Sequence, residues 1–529
     1  MNLLEMLKRG MFSEIWSAFC SWIDLTLNEF MEIQEKLLFE QLEFYNTIKL
    51  KSTFIKGEIK SIKDFREMVP LTTYKDYEPY IGQQDESLVG FKPIFWERTS
   101  GRSVGGKPKW IPVSKYRYEA SKRYSVTSLI FSSAKKKGDV LLEPDDGILY
   151  FVAPRPYYSG YTIPTILELI PTLKVYPPLE EAEKMDFYER LSKGMMLGLR
   201  YGIDYFYGLS SVIAAVGERM KNGETSIGFS PALLHISPLI RIIRAVVKAK
   251  KERRNVLPKD LWKLKGIVSG GTDTEIFMGK IKEYWGVYPL NGYAATEGSL
   301  IAIQLWNRKG MTFTPDLNFY EFIPEEELKK EEQMSSYRPK TVLLNELKPG
   351  EIYEIVLTNL QHGVFLRYRI GDLIKVISLS DDETGVSLPQ IKFYSRKGDL
   401  IDISGLCRIT ENDLWNAIEK SGTKYREWTA IKEIRNGKPY LHIYIESQED
   451  KKVMEKLIEE SLKEINHEFA DAARILGYNP IIVDPLLTGT FDEYMRRMAE
   501  KGSDLGHLKP PHINPPKETI ELLLKIGET

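Results

Sequence analysis

After about residue 90 the chain changes texture, and that change limits what it can fold into. Short runs rich in β-branched and aromatic residues (PIFWER, DGILYFVA, LKGIVSG, EIYEIVLTNL, DLIKVISL, QIKFYS) alternate with stretches of helical periodicity at 179–198, 208–222, 231–253 and 274–285. This alternation predicts an α/β architecture with a largely parallel sheet, since each parallel crossover needs a dozen or more residues and a helix supplies them. Ahead of it, residues 1–48 repeat apolar side chains at helical spacing (Trp16, Phe19, Ile23, then Leu37, Leu38, Leu42, Phe44, Tyr45), which predicts amphipathic helices packed on a core. The charged segment PEEELKKEEQM at 324–334 reads as a solvated insertion. Near RKGDLID (396–402) the pattern resets into helix 410–420, strands 428–435 and 439–446, helix 450–475 and a Pro/Gly-rich tail, a smaller α+β domain behind a short linker.

Charge and cysteine content narrow the function classes. With 73 Lys+Arg against 74 Asp+Glu, the net charge of −1 removes the electrostatic case for nucleic acid or an anionic membrane as partner. No apolar run reaches the roughly 18 residues of a membrane span, and Glu5, Glu14 and Asp24 interrupt the N-terminal segment where a secretory signal would be apolar. Two cysteines, Cys20 and Cys407, exclude a disulfide scaffold and suit a reducing cytoplasm. The six histidines show no metal-ligand spacing, so no zinc is expected.

The densest chemistry lies in TSGRSVGGKPK (99–109): hydroxyls, three glycines and two lysines in eleven residues. Glycine lets backbone N–H groups approach an anion closely, hydroxyls add donors, and lysines neutralise charge. The bland alternative is a Gly-rich surface hairpin. Residues 101–107 also satisfy G-x-x-x-x-G-K, but Pro108 stands where a Walker loop needs Ser or Thr. GRSVG (101–105) fits the hydrolase elbow around Ser103, yet both motifs must open a helix, and Pro108 and Pro112 oppose one. A strand–loop–strand wrapping polyphosphate fits better.

Further on, LKGIVSGG (264–271) reads as a buried strand ending in a Gly pair before Thr272 and a helix, a ligand-binding position in open α/β sheets. In YAATEG (293–298), small residues crowd Glu297, whose carboxylate could hold Mg²⁺ against phosphate oxygens. In FLRYRIGD (365–372), a strand with an exposed basic face and a turn competes with Asp372 accepting from two ribose hydroxyls. The basic run KAKKERR (248–254) reads as a solvated helix end.

In order, TSGRSVGGKPK, GG-T, YAATEG, RYRIGD and RKGDLID resemble the successive core motifs of the adenylate-forming enzyme superfamily. VPLTTYKDYEPYI (69–81), PKWIPVS (108–114), YEIVLTNLQHGVFLRYRIGDLIKV (353–376) and GTFDEYMRRMAEKGSDLGHLKPP (489–511) resemble, more narrowly, the Gretchen Hagen family of auxin-responsive acyl-acid amido synthetases. The resemblance implies a large N-terminal α/β adenylating domain over 1–395, a hinge at 396–402, and a smaller mobile α+β lid domain over 403–529. It also implies a two-step ligase reaction. ATP and a carboxylic acid give an acyl-adenylate and pyrophosphate, and an amine, usually an amino acid in that family, displaces AMP.

By the same resemblance Thr99, Ser100, Gly101, Ser103 and Lys107 wrap the phosphates, and Thr272 contacts nucleotide or acyl group. Tyr293 stacks near adenine, Thr296 binds the α-phosphate and Glu297 holds Mg²⁺. Asp372 and Arg396 take the ribose hydroxyls. Arg408 stands where the family places a lysine that reaches the α-phosphate, and Lys509 matches the lysine of the tail motif. The chain departs from the pattern in places. Its loop is one residue longer than SSGTSxGxxK, with Arg102 in place of Thr. The family's acyl-anchoring Arg falls near Ser128, with Arg117 and Arg123 on other turns. Acid, amine and oligomeric state stay open. An acyl-CoA ligase sharing the first step is the alternative, and a non-catalytic nucleotide-binding protein is a third reading, against which Glu297, Asp372 and Lys509 argue.

Overall fold

Local capping sets where the helices begin. Thr26 and Glu29 form a reciprocal capping box at the start of helix Leu27–Tyr45, as do Thr73 and Asp76 before Tyr74–Ile81. Ser114 Oγ accepts from Arg117 N at 3.1 Å and starts helix Lys115–Ser133, whose second half is buried throughout. The computed structural model describes the chain except residues 103–107, 186, 224–235, 271–273, 335, 398–399, 404–406, 436–437, 477, 501–509, 511 and 528–529.

The chain divides into two compact units, Met1–Ile370 with Ile374–Phe393, and Gly371–Leu373 with Tyr394–Thr529. Among the described residues an eleven-stranded sheet carries the first. Lys174–Tyr176, Gly147–Phe151, Tyr205–Leu209, Gly266–Gly270 and Pro289–Ala295 run parallel, in that spatial order. Their near-continuous apolar runs are buried because helices cover both faces, and Trp285 on helix Thr274–Trp285 is 1% exposed. Burying such a side chain contributes on the order of 2–3 kcal/mol.

Past Pro289–Ala295 the expected parallel order gives way. Ser299–Gln304 pairs antiparallel with both neighbours, Met311–Phe313 pairs antiparallel with Gln390–Arg396, and Asn318–Pro324 with Ile352–Asn359. The connections on either side of Ser299–Gln304, 296–298 and 305–310, are too short for a helical crossover. The segment read as a solvated insertion is also different: Glu325–Gln333 is a helix with Leu328 5% exposed, and Glu327 accepts from Lys340 N at 2.8 Å.

In the second unit, strands Trp428–Arg435 and Lys438–Glu446 are joined by Ile481–Leu486. Helix Glu411–Ser421 is capped by Thr410 and Asp413 and stopped at Gly422, φ +73°. The stretch read as a Pro/Gly-rich tail contains helices Thr490–Glu500 and Lys517–Gly527. No helix among the described residues is long and apolar enough to cross a membrane.

Candidate active site

The Gly-rich segment joins two antiparallel strands, Phe95–Arg102 and Pro108–Val113. Pairing runs from Phe95 with Val113 to Arg98 with Trp110, then shifts register before Arg102 with Pro108. A strand follows the loop, so neither a Walker turn nor a hydrolase elbow is built here. Thr99 is buried in the first strand, and its Oγ1 accepts from Lys109 N at 3.4 Å. Ser100 and Gly101 lie on the same strand, while Ser103 and Lys107 lie outside the described residues.

Lys109 reaches from the second strand to the centre of the site. Its Nζ lies 3.2 Å from Glu297 Oε1 and 3.3 Å from the Tyr368 hydroxyl, over the Tyr74 ring at 5.4 Å. Tyr368 donates to the same Glu297 oxygen at 3.3 Å. Burial, with the Glu297 charge beside it, holds that hydroxyl well above the usual phenol range, so it stays a neutral donor. Tyr74 itself is fixed by accepting from Trp110 N at 2.9 Å, which ties the 69–81 stretch to the hairpin.

Glu297 sits in the turn between Pro289–Ala295 and Ser299–Gln304, with Thr296 half-buried beside it. Gly298 allows the tight turn: a Cβ there would meet Ile301 and Leu357 side-chain atoms at 2.8 and 2.9 Å. Buried amides hold the turn from behind. Asn359 donates to the Glu297 carbonyl at 2.8 Å and Asn318 to the Gly298 carbonyl at 2.7 Å. Arg117 donates to Asn318 Oδ1 and the Leu317 carbonyl at 3.3 and 2.7 Å. Tyr293 is buried on the preceding strand, its ring 5.8 Å from Phe393.

Glu97, two residues before Thr99, is 5% exposed. Burial pushes its carboxyl up to about 8, with Arg117 pulling it down and Glu297 adding to the rise. At neutral pH Glu97 is therefore mainly the neutral acid.

In the second unit Asp372 is buried and accepts from Arg396 Nε at 2.8 Å. Gly371, at φ +83°, accepts from Lys397 N at 2.6 Å through its carbonyl, bending the chain just before Asp372. Arg408 lies on strand Cys407–Thr410 opposite Asp402. Thr272, Lys509 and the 398–399 part of the expected hinge lie outside the described residues.

Lys109 joins the candidate residues: in a loop one residue longer than SSGTSxGxxK it stands at the terminal lysine, two residues beyond Lys107. The basic face expected around Arg367 and Arg369 is not exposed. Arg367 donates to Glu321 at 3.0 and 2.8 Å, and Arg369 pairs with Glu331 and Glu354 at 2.6 Å each. Those arginines line a separate cleft of about 660 Å³ that contains none of the site residues.

The first unit thus combines a large mixed sheet, a Gly-rich segment between two paired strands and a buried carboxylate in a turn. The solved 2-hydroxyisobutyryl-CoA ligase in its postadenylation state shares this fold, at 14% identity, TM-score 0.58, and coverage of 94% of this chain and 91% of its own. An acyl acid amido synthetase, GH3.15, solved with 2,4-DB, reaches TM-score 0.67 at 17% identity over 98% of this chain and 96% of its own. Domain models of a single family match in order: the GH3 family N-terminal domain at 20–167, central domain at 311–396 and C-terminal domain at 412–518. The chain belongs to the GH3 family, the Gretchen Hagen family its motifs resemble. A jasmonoyl–L-amino acid synthetase from Oryza sativa subsp. japonica is 23% identical over 95% of this chain and 97% of its own.

Proposed function

We infer that this chain is an ATP-dependent acyl-acid amido synthetase. A carboxylate oxygen attacks the α-phosphorus of ATP, releasing pyrophosphate and forming an acyl-adenylate. An amine nitrogen, in our reading that of an amino acid, then attacks the acyl carbon, loses a proton and expels AMP. The observation that carries this is the three GH3 domains in order, with Lys109 and Glu297 paired at the base of the phosphate-type hairpin.

The physical demand is to hold two anions together and neutralise charge that develops on phosphate. We assign that to Thr99, Ser100, Gly101, Ser103 and Lys107, and add Lys109. Thr296 takes the α-phosphate, Tyr293 the adenine side, Thr272 the nucleotide or acyl group, and Asp372 with Arg396 the ribose. Arg408 and Lys509 serve from the second unit, with 396–402 as the hinge that turns residues 403–529 between half-reactions.

Glu297 fits Mg²⁺. It is a single buried carboxylate, and Mg²⁺ uses one or two carboxylates and fills the rest of its shell with phosphate and water. Among the described residues no group of three or more acidic, His or Cys side chains makes a closed cage. Bound there, Mg²⁺ would neutralise phosphate charge. The sequence has two cysteines, both buried, and so low a cysteine content supports our placement in a reducing cytoplasm.

The test is exchange of labelled pyrophosphate into ATP across aryl, indolyl and aliphatic acids, followed by AMP release with amino acids or CoA. Acid-dependent exchange and amine-dependent release are expected. CoA-dependent release without any amine effect would reassign the chain as an acyl-CoA ligase.

A further inference from the structure

A cavity of about 190 Å³ opens where the parallel strands of the first unit end, lined there by Leu209, Gly270 and Gly292. Open α/β sheets receive ligands at that edge. Its volume is below the roughly 300–1,000 Å³ of sites for drug-sized ligands, which limits it to a molecule of about one ring. Ala294, also in the lining, stands two residues before Thr296, the position assigned to the α-phosphate.

No charged side chain lines the cavity. Ser128, near the position where the family's acyl-anchoring arginine is expected, forms part of the wall and donates to the Ser125 carbonyl at 2.7 Å. The arginines of that helix are engaged elsewhere: Arg117 as described above, and Arg123 with Asp316 at 2.6 Å. A ligand with a second carboxylate or an ammonium on its body would lose water here and gain no counter-charge.

The polar lining has a definite sense. Ser128, Ser159 and Ser269 donate to backbone carbonyls, at 2.7, 3.4 and 3.3 Å, so their oxygens meet the cavity as acceptors. Tyr158 also lines the cavity, and no hydrogen bond from its side chain to another described residue is formed. Burial raises its hydroxyl far above the usual phenol range, so it is a neutral donor. Tyr207, whose hydroxyl burial also holds above the usual phenol range, lines the cavity beside Tyr158; serine acceptors and tyrosine donors together match a hydroxyl group, which both gives and takes a hydrogen bond.

Resting on the adenylation reading above, we propose that the acyl acid of this enzyme is of about single-ring size, uncharged apart from its reacting carboxylate, and hydroxylated, with Tyr158 and Ser128 selecting it. A neutral wall at Ser128 makes the carboxylate available to ATP instead of holding it in a salt bridge inside the cavity.

The test is pyrophosphate exchange by the full chain with Mg²⁺ and five probes: benzoic, 3- and 4-hydroxybenzoic, terephthalic and indole-3-acetic acids. A hydroxybenzoic acid should exceed benzoic acid by about 10-fold in kcat/KM, the size of one hydrogen bond. Terephthalic and indole-3-acetic acids should fall below benzoic acid. Tyr158→Phe should bring the hydroxybenzoic-to-benzoic ratio towards one, and Ser128→Arg should raise terephthalic acid relative to both. Preference of the wild type for terephthalic or indole-3-acetic acid overturns the proposal and leaves adenylation standing. Exchange with none of the five counts against the adenylation reading, and calorimetry then decides the cavity separately. Hydroxyl-dependent binding that Tyr158→Phe abolishes supports it; absent binding, or equal binding of benzoic and hydroxybenzoic acids, overturns it.

Discussion

Lys109 Nζ meets Glu297 Oε1 at 3.2 Å across 188 residues of sequence, joining the phosphate-type hairpin to the turn after the last parallel strand. Each group is the other's counter-charge until nucleotide arrives. In the function proposed above, an incoming phosphate would compete for the ammonium and release the carboxylate towards a cation, so that one contact would couple hairpin and turn.

Glu297→Gln should lower pyrophosphate exchange by about 10²–10³-fold, the scale of losing one electrostatic stabiliser of a developing charge. The thermal midpoint should shift by only a few degrees, because the backbone anchors at Asn318 and Asn359 remain. Wild-type exchange in this variant would remove Glu297 from the metal and phosphate chemistry.

Lys109→Met should cost more in kcat/KM for ATP than Lys107→Met does. The comparison tests the count of the longer loop directly. A greater loss at Lys107 would make that residue the main phosphate contact and leave Lys109 as a structural ion pair.

Gly371→Ala should raise the KM for ATP and lower stability by about 1 kcal/mol, the strain of a side chain in left-handed backbone. Nothing lies within 4 Å of the added Cβ, so the effect is one of conformation and not of crowding. Asp372→Asn should raise the same KM without the loss of stability. Nucleotide titration of both variants, with urea unfolding, separates the two effects.

His512 is buried between Glu411 at 2.5 Å and Glu427 at 2.7 Å, stacked on Trp428. Burial alone would lower its pKa, but the two carboxylates prevail and raise it to about 10. A raised folded-state pKa gives stability that is whole below the ordinary histidine value of about 6.5 and lost as pH rises through about 10. The urea midpoint of the wild type should therefore fall across that window. His512→Gln should be less stable at pH 7, with the gap closing towards pH 10. A gap independent of pH would mean that the ring acts by packing alone.

Glu321→Ala should destabilise the first unit by about 3–5 kcal/mol, since it leaves the buried Arg367 guanidinium without its carboxylate. The Glu321 and Arg367 side chains are 1% and 6% exposed. Arg367 also donates to the Arg66 and Val69 carbonyls and the Thr341 hydroxyl, and a urea midpoint near that of the wild type would show that these suffice for it.

Much of this molecule was legible in its letters. Helix Thr274–Trp285, strand Gly266–Gly270 and the strand after the Gly-rich loop follow from periodicity and from prolines that forbid a helix, because such preferences act over a few residues. The family was legible as well, since its motifs are short strings met in order. Pairing over long separation was not. Whether Ser299–Gln304 runs parallel or antiparallel, whether Arg367 faces water or Glu321, and which lysine reaches Glu297 depend on contacts tens to hundreds of residues apart, which no local pattern encodes. The neutral wall at Ser128 belongs with these. A serine on a helix carries no sign of what it faces, and only the packed sheet makes that position the side of a cavity.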